Sequence, residues 1–257
     1  MRLTVLGTST PYPRPGNACS GYLLQSDREP GAHPTSVWID AGTGTLAELQ
    51  RHIHPADLDA IWISHRHADH TADLLVAYYA LRFAERSPEH PIPLIGPEGL
   101  LERMSAFLGP SSVDELPRVF EMQEMSGWGE RAIGSLQLEW GPVQHGVPAF
   151  GLAVGDGSTR FAYSGDSAPC VSLEELAEGA GTLLVEAGYD AGRAADDDAP
   201  AHHTPEDAGR TATAAGVPRL VLTHIAGTVT PADAVARASA HFSGETVAAT
   251  PGDVLTL

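Results

Sequence analysis

The stretch Ser64-His65-Arg66-His67-Ala68-Asp69-His70 sets the tightest limit on what this chain can become. Clustered imidazoles and a carboxylate repel or desolvate one another unless a cation draws them together. An apolar, β-branched run over 58–64 precedes the motif. A pattern over 71–85 follows it, with Leu74, Leu75, Tyr78, Leu81 and Arg82 at helical spacing. A strand therefore leads in and a helix leads out, which fixes the loop between them. Side chains two apart in extended backbone share a face, so His65 and His67 reach one metal ion. Asp69 and His70, at the first turn of the helix, face a second ion close to the first.

The rest of the chain predicts a fold that can hold such a loop. Strands are expected over 2–6, 18–25, 35–40, 58–64 and 92–95, the third ending in the turn Ala41-Gly42-Thr43-Gly44. Helices follow over 45–52 and 71–85, and Gly96-Pro97 opens another that runs to Leu108. Strands and turns fill 117–143. Gly155-Asp156-Gly157-Ser158 links two apolar runs and signals a hairpin. Helices over 172–178, 205–215 and 231–241 then alternate with strands over 182–187 and 219–225, and edge strands close the chain over 246–250 and 253–257. Strands in clusters, without strict βαβ alternation, predict two mixed sheets with helices outside. The acidic stretch 191–201, with Asp196-Asp197-Asp198 at its centre, reads as a solvated loop and a candidate lid.

Composition removes several classes of function. The 257 residues suit one domain over 1–257. With 33 acidic against 15 basic residues the formal charge is −18, which opposes non-specific binding to nucleic acid or to an anionic membrane. The two cysteines, Cys19 and Cys170, exclude a disulfide scaffold and favour a reducing, cytoplasmic setting. The first residues lack the apolar core of a secretory signal, and no run is long enough to cross a bilayer.

The HxHxDH motif, the opening LTVLGTS and the Asp40-Ala41-Gly42 turn resemble the metallo-β-lactamase superfamily over essentially the whole chain. The resemblance implies an α+β chain folded as an αββα sandwich of two mixed sheets with helices on the outside. It also implies three further ligands at strand ends: His145 before the hairpin, Asp166 in Tyr163-Ser164-Gly165-Asp166-Ser167, and His224 at the end of Leu220-Val221-Leu222-Thr223. One ion then takes His65, His67 and His145. The other takes Asp69, His70 and His224, and Asp166 bridges the two. The set contains no cysteine, and its nitrogen and carboxylate donors suit two divalent ions, zinc first and manganese or iron as alternatives.

A second group of residues is similar to the ribonuclease Z-like branch. Ala201-His202-His203-Thr204-Pro205 precedes a helix and matches that branch's H-x-T segment. His202 takes the place of the histidine that meets the scissile phosphate or the leaving group, and Glu186 is expected to orient His202 or a metal-bound histidine. The adjacent His203 is a weaker candidate for a site role, and Thr204 reads as a helix cap and Pro205 as the first helical residue. The Gly7-Thr8-Ser9-Thr10 turn borders the site in this fold, and its amides are a weak candidate cradle for an anion. Arg66 either faces solvent or meets an anionic substrate.

Only twenty residues separate His145 from Asp166, so the long basic arm of tRNA-processing relatives is missing. The pattern is most similar to armless ribonuclease Z-like hydrolases, including atypical class II-like cyclic nucleotide phosphodiesterases of actinobacteria. The implied activity is hydrolysis of a small phosphodiester through a metal-bridging hydroxide. Asp69 would accept the proton of water and His202 would serve the leaving alkoxide. The alternative is a metal-dependent hydrolase of a carboxylic ester, lactone or thioester. A non-catalytic binding protein is disfavoured, because no ligand position is lost. The implied partner is a small anionic molecule, with no long nucleic acid and no membrane, and relatives of this kind suggest a homodimer.

Overall fold

A computed structural model describes residues 1–27, 33–190 and 201–257. The chain divides into two compact units, each built on one mixed sheet. The first unit covers Met1–Ser126, Ile133–Ser135 and Pro251–Thr256. Its elements are β1 (Arg2–Ser9), β2 (Ala18–Cys19), β3 (Gly21–Gln25), β4 (Ser36–Ile39), α1 (Thr45–Leu49), β5 (Ala60–Trp62), α2 (Ala68–Phe83), β6 (Ile92–Pro97), α3 (Leu100–Leu108), α4 (Leu116–Val119) and β7 (Phe120–Met125). The second unit covers Gly127–Ala132, Leu136–Thr250 and Leu257. It holds β8 (Gly129–Ile133), β9 (Leu136–Pro142), β10 (Phe150–Gly155), β11 (Arg160–Tyr163), α5 (Val171–Ala177), β12 (Thr182–Glu186), α6 (Pro205–Ala215), β13 (Arg219–Thr223), α7 (Pro231–Ser239) and β14 (Glu245–Ala248). The closing strand, β15 (Val254–Thr256), returns to pair with β1.

Strand order is β15-β1-β3-β4-β5-β6-β7 in the first sheet and β14-β13-β12-β11-β10-β9-β8 in the second, with β2 beside β1. In both sheets antiparallel pairs give way to parallel ones. β1, β3 and β4 run antiparallel and β4 to β7 parallel, while β9 to β11 run antiparallel and β11 to β14 parallel. The inner parallel strands β12 and β13 read as largely apolar runs, as strands covered on both faces must. Leu183, Leu184 and Val185 in β12 and Leu220, Val221 and Leu222 in β13 are all buried.

Each unit has its own core. In the first, α2 lays Leu74, Ala77, Tyr78 and Leu81 on a cluster with Leu6, Leu23, Trp38, Ile61 and Leu94. Each fully buried leucine there contributes about 1.5–3 kcal/mol. In the second, α6 and α7 press Ala208, Ala212, Ala234 and Ala238 onto Leu183, Leu220 and Leu222. Gly209 makes that approach possible, because a Cβ there would lie 2.3 Å from the Ala238 carbonyl oxygen.

The structure shortens or moves several expected elements. The strand expected over 58–64 keeps only Ala60–Trp62. A 3₁₀ turn over Pro55–Asp57, capped by His54, occupies its approach. Gly96-Pro97 ends β6 instead of opening a helix, and α3 starts after Gly99, which adopts φ 78. Residues 18–25 form two short strands around Ser20, not one. Helix α2 begins at Ala68, three residues before its expected start, so Asp69 and His70 do stand in its first turn. The hairpin, the cap at Thr204 and the edge positions of β14 and β15 are found as expected. In the hairpin loop, Asp156 accepts the amides of Ser158 and Thr159 at 2.9 and 2.8 Å. Against the desolvation of partial burial, those bonds hold its carboxyl well below the usual range. The acidic residues 191–200, read as a loop and lid, lie outside the described residues. No described helix is long and apolar enough to cross a membrane.

Candidate metal centre

Just past strand ends, the first unit gathers four of the predicted ligands, His65, His67, Asp69 and His70, and the second gathers three, His145, Asp166 and His224. In the first unit β4 ends at Ile39, and Asp40 takes up the left-handed conformation with φ 53. Such a conformation is uncommon outside glycine and clusters at functional sites. Asp40 is fully buried. Its Oδ1 accepts the Ser64 amide at 2.8 Å, and its Oδ2 accepts the Ser64 hydroxyl at 2.9 Å and His70 Nδ1–H at 2.7 Å. A proton held on Nδ1 leaves the lone pair on His70 Nε2, the form of imidazole that binds a cation.

The other three residues of the motif surround that ring. Asp69 Oδ2 lies 3.8 Å from His70 Nε2. His65 Nε2 lies 3.0 Å from His67 Nδ1, so the two rings do converge as their spacing predicts. The His65 and His70 rings stand 4.2 Å apart. At the start of α2 the Thr71 hydroxyl donates to the His67 carbonyl at 2.8 Å and secures the turn. Gly42 permits the tight fit beneath it. Ala41 N–H donates to the His70 carbonyl at 2.8 Å, and a Cβ on Gly42 would stand 2.0 Å from the Asp69 carbonyl oxygen.

In the second unit His145 follows β9, and its Nδ1–H donates to the Ala201 carbonyl at 2.8 Å. Its Nε2 is thereby left as the cation-binding atom. Asp166 follows β11 through Gly165, which has φ 59. His224 follows β13 and, like Asp40, is a left-handed non-glycine residue, with φ 48. Its Nε2 lies 3.5 Å from Asp166 Oδ2. His202 Nδ1 lies 3.9 Å from the same oxygen and donates to Glu186 Oε1 at 2.8 Å. The His202 and His224 rings stack at 5.9 Å, and His145 meets His202 edge-on at 5.0 Å. Ligand atoms of His145, Asp166 and His202 fall within 4.8 Å of one another, as do those of Glu186, His202 and His224.

Both sets offer imidazole nitrogen and carboxylate oxygen with no thiolate, which is the donor chemistry of zinc, manganese or iron in open catalytic sites. Burial, with Asp69 nearby, pushes the Cys19 thiol up to about 11, so it stays protonated and out of the donor set.

Other expectations fare differently. The Gly7-Thr8-Ser9 cradle is strand rather than turn, and the Thr8 amide donates to Asn17 Oδ1 at 2.9 Å. Arg66 is half-buried, with its guanidinium close against Gly99. His203 is fully buried, and burial holds its imidazole below the usual range and therefore neutral. Reading the residues alone missed the roles of Asp40 and Ser64. The signal available was an aspartate two residues before a glycine at a strand end, which alone is more often a turn.

Residues 35–225 match a family model described as a beta-lactamase superfamily domain. An uncharacterized protein of Mycobacterium tuberculosis is 34% identical over 247 residues, covering 95% of this chain and 88% of that protein. Ribonuclease Z of Mycolicibacterium gilvum is 29% identical, covering 90% of this chain and 86% of the enzyme. Among solved structures, the metallo-beta-lactamase fold protein YhfI from Bacillus subtilis has a TM-score of 0.83 at 26% identity, covering 99% of this chain and 98% of that one.

Proposed function

From a chain that belongs to the β-lactamase superfamily, with a ribonuclease Z among its relatives, we propose a divalent-metal hydrolase of small phosphodiesters, such as a cyclic nucleotide. The reading takes 1–257 as one domain. His65, His67 and His145 would hold one ion, Asp69, His70 and His224 a second, and Asp166 both. Such ions supply a water activated near neutral pH and positive charge against phosphoryl oxygens. A local positive centre also explains how an anion is accepted by a chain of formal charge −18.

The observation that carries the reading is His202, held by Glu186 at 2.8 Å and standing 3.9 Å from Asp166. With Nδ1 fixed on the carboxylate, Nε2 is the atom presented to a substrate. A proton on Nε2 is offset by the charge of Glu186 and can pass to a departing alkoxide. Asp40 and the Ala201 carbonyl set the tautomers of His70 and His145, and Asp69 offers a carboxylate oxygen to the proton of the attacking water. A homodimer is consistent with the exposed side chains of Val76, Tyr79 and Phe83, which recur along one stripe of α2.

The test is a substrate panel of bis-p-nitrophenyl phosphate, cyclic AMP, p-nitrophenyl acetate and simple lactones. The expected result is chelator-sensitive cleavage of the two phosphodiesters, with the carboxylic esters slow. Preference for the esters or lactones, or efficient cleavage of precursor tRNA, would overturn it.

A further inference from the structure

The two adjacent histidines of the H-x-T segment engage different partners. His202 meets Glu186, while His203 Nδ1 lies 2.5 Å from the Ser167 carbonyl oxygen and Nε2 lies 2.9 Å from Thr211 Oγ1. A carbonyl only accepts, so Nδ1 donates and Nε2 accepts the Thr211 hydroxyl. Both ring nitrogens are spent, which excludes His203 as a metal ligand. Ser167 directly follows Asp166, and its amide donates to Glu186 Oε1 at 3.1 Å. Ala168 N–H donates to the Gln144 carbonyl at 2.7 Å. Ser167, the residue after Asp166, is therefore gripped at its N–H by Glu186 and at its C=O by His203, with α6 as the anvil.

We propose that His203 is a positioning residue for Asp166: it clamps the Ser167 carbonyl to α6 and so aims the Asp166 carboxylate at the cation it binds. The proposal rests on the reading of Asp166 as a metal ligand. The buried carbonyl needs a donor there, and the capping box of Thr204 and Asp207 fixes the start of α6, immediately after His203, in register. His202 and His203 thus divide their labour, one facing the substrate and the other holding the carboxylate in place.

The experiment compares His203→Asn, whose Nδ2 can donate from nearly the place of Nδ1, with His203→Leu, which fills the space without a donor. Thr211→Val, which breaks the clamp at its far end, is a milder third variant. The full-length protein is stripped of metal and titrated with zinc, and with cobalt to follow the visible absorption of the bound ion. Partners that orient metal ligands are worth about 10–100-fold in affinity, and a loss of that size is expected for His203→Leu. Thr211→Val should lose less, and His203→Asn should stay near wild type with an unaltered cobalt spectrum. If His203→Leu does not fold, Thr211→Val against His203→Asn carries the same contrast. Unchanged affinity in His203→Leu, or equal losses in the asparagine and leucine variants, overturns the proposal. Wild-type protein that binds no metal overturns instead the reading beneath it, and this with it.

Discussion

Asp166→Ala is expected to lose at least one of two metal equivalents and nearly all hydrolytic activity. Asp166 is 2% exposed and faces His224 Nε2 at 3.5 Å and His202 Nδ1 at 3.9 Å. In the proposed centre it is the one carboxylate shared by both ions, so its removal leaves two cations close together with less charge to compensate them. Removing one partner of a buried charge pair costs about 3–5 kcal/mol. At about 1.4 kcal/mol per decade, that is a loss of roughly two to four decades in metal affinity. His67→Ala should also shed metal but do less harm, because it deletes a neutral donor to one ion. Metal analysis checks both, and two full equivalents in purified Asp166→Ala would remove Asp166 from the ligand set.

His202→Ala is expected to do the opposite, retaining both metals while losing rate. A general acid–base residue contributes on the order of 10²–10⁴-fold. The loss should be largest where the leaving group is a poor alkoxide, such as a ribose 3′-oxygen. It should shrink for p-nitrophenolate, which leaves without a proton. Comparing kcat on cyclic AMP and on bis-p-nitrophenyl phosphate, with metal content measured on the same samples, separates the roles. Equal losses on both substrates would argue against proton donation by His202 and for a part in binding alone.

How much of this is legible in the sequence depends on range. His65 and His67 are expected together from strand periodicity and do meet, although the strand stops at Trp62, and the place of Asp69 and His70 follows from a helix starting at the motif. Both are local and both are found. Thr204 and Pro205 are likewise a local signal, found as a cap and first helical residue. The strand over 58–64 fails as an expectation because burial and pairing are different things. Ile63 and Ser64 are buried as their apolar setting suggests, yet Ser64 turns its amide to Asp40. Asp40 shows what local patterns cannot carry. Its role needs a left-handed backbone and a partner 30 residues away, at His70. His203 is a similar case, since its partner Ser167 lies 36 residues upstream. Gly42 belongs here too, because what makes glycine necessary there is the Asp69 carbonyl, which arrives from another element.

The central claim is that these histidines and aspartates serve a pair of divalent ions acting on a phosphodiester. It is tested most directly by adding zinc in known equivalents to metal-stripped protein while following hydrolysis of bis-p-nitrophenyl phosphate. The account predicts no activity without metal and a rise that levels off at two equivalents per chain. Full activity in the stripped protein, or a plateau reached at one equivalent, would contradict it.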